Sequence, residues 1–276
     1  MGSLDGRVAL ITGAARGMGR SHAVALAEAG ADIIAIDICR QIESVTVRMS
    51  TRADLDDTAA MVQRAGRRVV CGVADVRDRA GLRAAVAEGV LTLGRLDTVV
   101  ANAGIWAVRV DQPTDDEGRT RMWEDTLGVN VTGVWNTIEI CAPFMIEAGH
   151  GGSIVVISST TALQTVSNND LAFTSYGVSK VALIGLMKMS ASDLSPHAIR
   201  VNAVHPTGVT TPLTDNAVVE EYFAGHPELA AHVQQVFADV APSAISDAVL
   251  FLASDASCHI SGVSLPVDSG ALVRWR

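Results

Sequence analysis

The chain is short of aromatic residues, of paired cysteines and of positive charge, and each shortage removes a class of function. Aromatic side chains make up 4% of it, against 49% hydrophobic residues overall. Apolar bulk of this kind, drawn from Val, Ile and Ala, suits parallel strands covered by helices on both faces. The four cysteines, Cys39, Cys71, Cys141 and Cys258, form no close pair. Neither a zinc ligand set nor a redox motif is legible, so no metal is expected and the thiols read as free, in a reducing compartment. A net charge of −9 disfavours nucleic acid and acidic membranes as partners. The arginines at 77, 79 and 83 alternate with Asp75 and Asp78 and read as a solvated helix start. No stretch nears the ~20 apolar residues of a spanning helix. The first residues show no apolar core of signal-peptide length and no acylation signal. The reading is a cytoplasmic protein with neither a membrane nor a nucleic-acid partner. No linker tract or internal repeat divides the chain, so residues 1–276 read as one domain.

What is present is an alternation of strand and helix patterns. Val8-Ala9-Leu10-Ile11 reads as a buried strand. The turn Thr12-Gly13-Ala14-Ala15-Arg16-Gly17-Met18-Gly19 follows, then a helical pattern from Gly19 to Ala29 that Gly30 stops. Missing side chains let the backbone approach a pyrophosphate, and the helix N-terminus favours its charge. A plain tight turn is the alternative, but strand–turn–helix order favours a dinucleotide. Asp37 closes the next strand, Ile33 to Ile36, near the ~20-residue spacing of an acid that holds a ribose 2′-hydroxyl. A carboxylate there repels a 2′-phosphate, so NAD is expected over NADP. Arg16 and Arg40 are nearby cations that soften the repulsion. A strand-end turn residue is the plainer reading of Asp37.

Further strands are expected over Val69 to Val73, Asp97 to Ala101, Ser153 to Ile157 and Arg200 to Val204. Asp75-Val76, Asn102-Ala103-Gly104, Ser158-Ser159 and His205-Pro206-Thr207-Gly208 follow them in turn, with Asn130 inside a helical pattern from Leu127 to Ile138. Open α/β sheets place ligands at the carboxyl ends of their strands. Tyr176-Gly177-Val178-Ser179-Lys180 then opens the next helix and puts a phenol and an ammonium four residues apart, on one face of it. A fixed cation favours the phenolate, and the pair can exchange a proton with an alcohol or ketone. Tyr and Lys at this spacing also occur on many solvated helix faces.

With these motifs in order along nearly the whole length, ending in Ser261-Gly262-Val263-Ser264-Leu265-Pro266-Val267-Asp268, the chain resembles the short-chain dehydrogenases/reductases. The resemblance implies a Rossmann-like doubly wound α/β sheet of about seven parallel strands. It implies a catalytic tetrad of Asn130, Ser159, Tyr176 and Lys180, in which Asn130 holds a water that links Lys180 to solvent. It implies NAD contacts from Gly13, Arg16, Gly17, Met18, Gly19, Asp37, Ile38, Asp75, Val76, Asn102, Ala103, Gly104, Tyr176, Lys180, Pro206, Val209 and Thr211. Asn102 would steady the central strand. Trp106, Gln164 and Phe173 are candidate substrate contacts by position. Thr207 stands where glycine is usual.

Within the family the chain is similar to a carveol-dehydrogenase-like branch linked to the redox cofactor mycofactocin. Extra chain after Asp37-Ile38-Cys39, roughly Arg40 to Asp54, a long stretch from Ser159 to Tyr176, and His-Pro-Thr-Gly after the sixth strand carry this likeness. It implies tightly held NAD. A substrate lid is expected over 213–241; its Val218, Val219, Tyr222, Phe223, Val233 and Phe237 point to an apolar, terpenoid or alicyclic alcohol. A homotetramer is implied, with the apolar residues of Ala271 to Arg276 suited to an interface. Two other readings stand beside this one: an ordinary NAD(P)H ketoreductase, such as a 3-oxoacyl reductase, and an NAD-binding module without turnover. Among histidines, His22 reads as packed, His150 as a loop residue, and His205 as strand-end with a lesser prospect of touching ligand. Glu139 reads as a solvated or interface residue.

Overall fold

The computed structural model describes residues 2–164, 170–233 (231–233 by backbone alone) and 239–273. The expectations for Phe237, the Val233 side chain and Arg274 to Arg276 lie outside the described residues. In chain order the elements are β1 (Val8–Thr12), α1 (Gly17–Glu28), β2 (Asp32–Asp37), α2 (Arg52–Arg64), β3 (Val69–Val73), α3 (Arg79–Leu93), β4 (Thr98–Ala101), α4 (Asp116–Leu127), α5 (Gly133–Ala148), β5 (Gly152–Ile157), α6 (Leu171–Leu194), β6 (Ile199–Pro206), α7 (Ala217–Gly225), α8 (Pro227–Val233), α9 (Pro242–Ala253) and β7 (Ser264–Val267). The strands form one parallel sheet in the order β3-β2-β1-β4-β5-β6-β7. Strand order reverses between β1 and β4, and the crevice beyond their carboxyl ends is where such a sheet takes its ligand.

Both faces of the sheet are apolar because alternate residues serve two cores. Leu10, Ile34, Ile36 and Val99 face Leu82, Val86, Met145 and Leu183 of α3, α5 and α6. Ala9, Ile11, Ile33 and Val100 face Leu26, Leu55 and Ile245 of α1, α2 and α9. This two-sided burial is why the strands read as unbroken Val/Ile runs. Helix ends follow local chemistry. Thr51 and Asp54 form a reciprocal cap on α2, Asp170 caps α6 by accepting from Phe173 N at 2.8 Å, and Gly30 follows α1 at φ +108°, a conformation that favours glycine.

Three expectations need correction. The helix pattern from Leu127 to Ile138 is not one regular helix: a π turn over Gly128–Thr132 joins α4 to α5 and carries Asn130. Tyr176 and Lys180 do not open their helix, since α6 already starts at Leu171. Arg77 and Arg79 are engaged with protein: Arg77 bridges Asp75 at 2.8 Å and Asp125 at 2.5 Å, and Arg79 donates to Asn136 at 2.9 Å and stacks 4.6 Å from the Trp135 ring centre.

The outer edge of the sheet hangs on one buried amide. Asn202 Nδ2 donates to Ile260 O at 2.9 Å, and Asn202 Oδ1 accepts from Val263 N at 3.1 Å. Asn202→Ala would remove the partner of Val263 N and leave Ile260 O the longer 3.4 Å contact from Arg200. A loss of roughly 1–3 kcal/mol of unfolding free energy is expected, read as a lower urea midpoint.

Candidate active site

The glycine-rich turn is set by close contacts. Gly13 sits at φ +69°, and a Cβ there would stand 3.0 Å from Ala103 Cα. A Cβ on Gly19 would stand 2.0 Å from Gly13 O, so α1 can dock on the turn only without a side chain. Gly17, at φ +55°, lies under Thr211. Asn102 clasps β4 to β1: its Nδ2 donates to Thr12 O at 2.9 Å and Gly13 O at 3.3 Å, while its own N–H and that of Ala103 both reach Thr12 Oγ1 at 3.1 Å. Its Oδ1 is buried and without a partner.

A cleft with about 850 Å³ of empty space, part of it open to solvent, lies on this turn. Gly13, Arg16, Gly17, Met18, Gly19, Asp37, Ile38, Asp75, Val76, Asn102, Ala103, Gly104 and Thr211 all line it. Pro206, Val209, Tyr176 and Lys180 do not. Val209 is instead buried against Val240 in a short bridge. A Cβ on Gly104 would stand 3.5 Å from Lys180 Nζ, so the lysine adjoins the cleft wall.

Sequence reasoning missed Ile42, Met49 and Ser50, which also line the cleft. They come from the extra chain after β2, whose length was visible but whose path was not. Asp37 is the reason it folds back: its carboxylate accepts from Ala15 N at 2.9 Å, Cys39 N at 3.0 Å and Ser50 Oγ at 2.5 Å. Cys39 turns the chain at φ 50°. Arg40 pairs with Asp75 at 3.0 Å and Ser44 with Asp125 at 2.7 Å. Burial would raise the Asp75 carboxyl, but bonds from the Arg77 side chain and N–H, and then from Arg40, hold it below its usual range.

Asn130 and Lys180 meet behind Gly104 of the cleft wall, with Tyr176 and Ser159 beside the lysine. Burial pushes the pKa of the Tyr176 phenol above its ordinary value, and the neighbouring Ser159 hydroxyl pulls it the other way. The Lys180 ammonium is 5.5 Å from the Tyr176 ring centre and donates to Ile157 O at 3.0 Å. Burial pushes its pKa down to about 8. The expected lowering of the tyrosine by the lysine is therefore outweighed in this geometry, because the ammonium turns to a carbonyl and the phenol is desolvated. Asn130 has both amide hydrogens committed to protein. Its Nδ2 donates to Ile105 O at 2.9 Å and Ser179 Oγ at 3.0 Å, and its Oδ1 accepts from Ile105 N at 2.8 Å. No amide N–H is left for a water; the side chain fixes the segment after β4 against α6.

Trp106, 6% exposed, is the centre of an aromatic group. Its ring lies 6.1 Å from Tyr176, 6.4 Å from Phe173, 5.5 Å from Tyr222 and 5.8 Å from Phe223. Gln164 is half-buried beyond the short turn after Ser159 and does not line the cofactor cleft. His22 is packed, with Nδ1 2.8 Å from Ser246 Oγ, and His150 and Glu139 are exposed. His205 is fully buried against the Ser159 carbonyl.

Known proteins match both sequence and geometry. A family model described as enoyl-(acyl carrier protein) reductase covers residues 13–271. A Mycobacterium tuberculosis protein described as an uncharacterized NAD-dependent oxidoreductase is 45% identical, over 98% of each chain. The (-)-trans-carveol dehydrogenase of Rhodococcus erythropolis is 38% identical, over 99% of this chain and all of that one, 100%. The crystal structure of carveol dehydrogenase from Mycobacterium avium in complex with NAD superposes with a TM-score of 0.89 at 43% identity, covering 99% of this chain and 100% of that one. Matched from the glycine-rich turn to the segment past its last strand, the chain belongs to the short-chain dehydrogenase/reductase family.

Proposed function

We propose that this protein is an NAD-dependent dehydrogenase that interconverts a secondary alcohol and a ketone on an apolar, terpenoid or alicyclic substrate. The observation that carries this reading is the buried Tyr176 phenol, beside Ser159, one turn from Lys180 and flanked by Trp106. The neighbouring cleft fits NAD: its glycine-rich turn packs too closely for a Cβ, which leaves bare backbone at the cleft wall, and Asp37 in that wall would repel a 2′-phosphate. Gly13, Gly17, Gly19, Asp37, Asp75, Asn102 and Thr211 would hold it, with Lys180 at its reactive end. Bound NAD supplies the hydride acceptor.

Tyr176 takes the carbinol proton during oxidation and returns it during reduction. Ser159 donates to the substrate oxygen, where negative charge develops. Lys180 steadies the phenolate once substrate and cofactor exclude water, and Asn130 keeps the Ile105 segment in place. Tyr222 and Phe223 of α7 close on Trp106, which supports a lid over 213–241 and an apolar substrate. The carveol dehydrogenase relatives favour the same class.

Ile42, Met49 and Ser50 of the 38–51 segment would help to hold NAD tightly, with mycofactocin rather than exchange recycling it; their place in the cleft wall supports this. The enzyme works in the cytoplasm, in keeping with described helices none of which is long and apolar enough to cross a membrane. It assembles as a tetramer through α5 and α6, whose exposed Trp135, Val178, Val181 and Met189 support such packing.

Denaturing the purified protein is expected to release NAD without any having been added, and a secondary-alcohol panel with an artificial electron acceptor is expected to show turnover. Release of NADP, or turnover of small charged hydroxy acids alone, would contradict the reading. Tyr176→Phe is expected to cut turnover by roughly 10²–10⁴-fold with the NAD retained. Burial raises the Tyr176 pKa, so the phenol is protonated at neutral pH and oxidation should climb as pH rises. Lys180→Met should move that rising limb to higher pH. Size-exclusion chromatography should give a tetramer; a monomer would remove the assembly.

A further inference from the structure

Three consecutive residues at the end of β5 are each pinned from a different direction. Lys180 Nζ donates to Ile157 O at 3.0 Å. Ser158 Oγ donates to Lys180 O at 3.0 Å, and Ser158 N to Val204 O at 2.8 Å. The Ser159 carbonyl lies 2.9 Å from His205 Nδ1, at the end of β6. Helix α6 thus anchors the first two residues, while the backbone of the third is held by a histidine.

We infer that His205 is a positioning residue for Ser159, fixing the serine's peptide plane so that its hydroxyl meets Tyr176 and the substrate oxygen. A carbonyl oxygen only accepts, so Nδ1 carries the ring proton and Nε2 is a bare lone pair. Nε2 is buried and has no partner, so Ser159 is the contact that sets the tautomer. Burial and the nearby Lys180 charge both keep the ring neutral, and a neutral ring in this tautomer is the donor the carbonyl needs.

The serine requires such an anchor because its hydroxyl has rival partners. Ser159 Oγ accepts from Thr161 N at 3.1 Å and lies 2.8 Å from Thr161 Oγ1. The short helical turn Thr160–Ala162 begins at Ser159, whose own backbone is extended. The turn thus already engages the hydroxyl, and rotation of that peptide would swing it further from the phenol. Holding the carbonyl on β6 opposes the rotation. The catalytic part of this inference rests on the proposed dehydrogenase reading.

Two measurements test it. In the intact NAD-loaded protein with 15N-labelled histidine, the His205 ring should show a protonated Nδ1 and an unprotonated Nε2 at neutral pH; the opposite tautomer overturns the inference whatever the substrate. Kinetically, an asparagine amide can place an N–H where Nδ1 sits, whereas a glutamine amide reaches toward Nε2. Single-turnover reduction of bound NAD, using an alcohol that the wild type oxidises, should be within about threefold of wild type for His205→Asn. It should fall about tenfold for His205→Gln, about 1.4 kcal/mol, in kcat and not in KM. Equal rates in the two variants, or an effect on KM alone, overturn the inference. A wild type that oxidises no alcohol defeats the dehydrogenase reading instead, and the ring-nitrogen measurement still decides the contact.

Discussion

The clasp between Thr12, Gly13 and Asn102 is the constraint on which the rest of the site depends. Parallel strands that diverge at a switch point share no continuous ladder beyond it, so something else must fix the width of the crevice. Here one amide and one hydroxyl do so, joining the ends of β1 and β4 through four hydrogen bonds. Gly13 and Gly19 allow the helix to start within contact of the same point. The position of Gly104, and through it the distance from the cleft wall to Lys180 and Asn130, follows from that joint.

A second organising group is the Asp37 carboxylate. It binds the glycine-rich turn through Ala15, its own strand end through Cys39 and the returning loop through Ser50. One buried charge therefore fixes three segments around the cleft. Around Tyr176 and Lys180 the logic is desolvation: the phenol is harder to ionise and the ammonium easier to neutralise than in water. Both departures favour the uncharged forms, and ligands that add charge or exclude water would reset them.

Much of this was legible in the sequence, for physical reasons. Strands buried on both faces are unbroken apolar runs, so β1 and β5 fall within one residue of their expected bounds, and glycine marks the turn where a side chain has no room. Other features had no local sign. The π turn at Asn130 changes phase by one residue without any change in composition. The direction of Lys180 Nζ toward Ile157 O is a choice among acceptors that i, i+4 spacing does not make. The His205 contact spans 46 residues, and Arg77 and Arg79 looked solvated because Asp125 and Asn136 are distant in sequence. Long-range partners of polar side chains, more than the elements themselves, were what the pattern could not supply.

The π turn also has a consequence for how the long rod from Asp116 to Ala148 tolerates change. A regular helix advances about 100° per residue, so one extra residue swings everything beyond it through that angle. Met122 and Thr126 before the turn, and Val134, Ile138, Cys141 and Met145 after it, are all buried, yet they need not share a single stripe. Deleting one residue within 128–132 would mend the helical ladder and still rotate half the rod's apolar side to solvent. The irregular turn is thus a phase adjuster, and the better-bonded helix would be the worse protein.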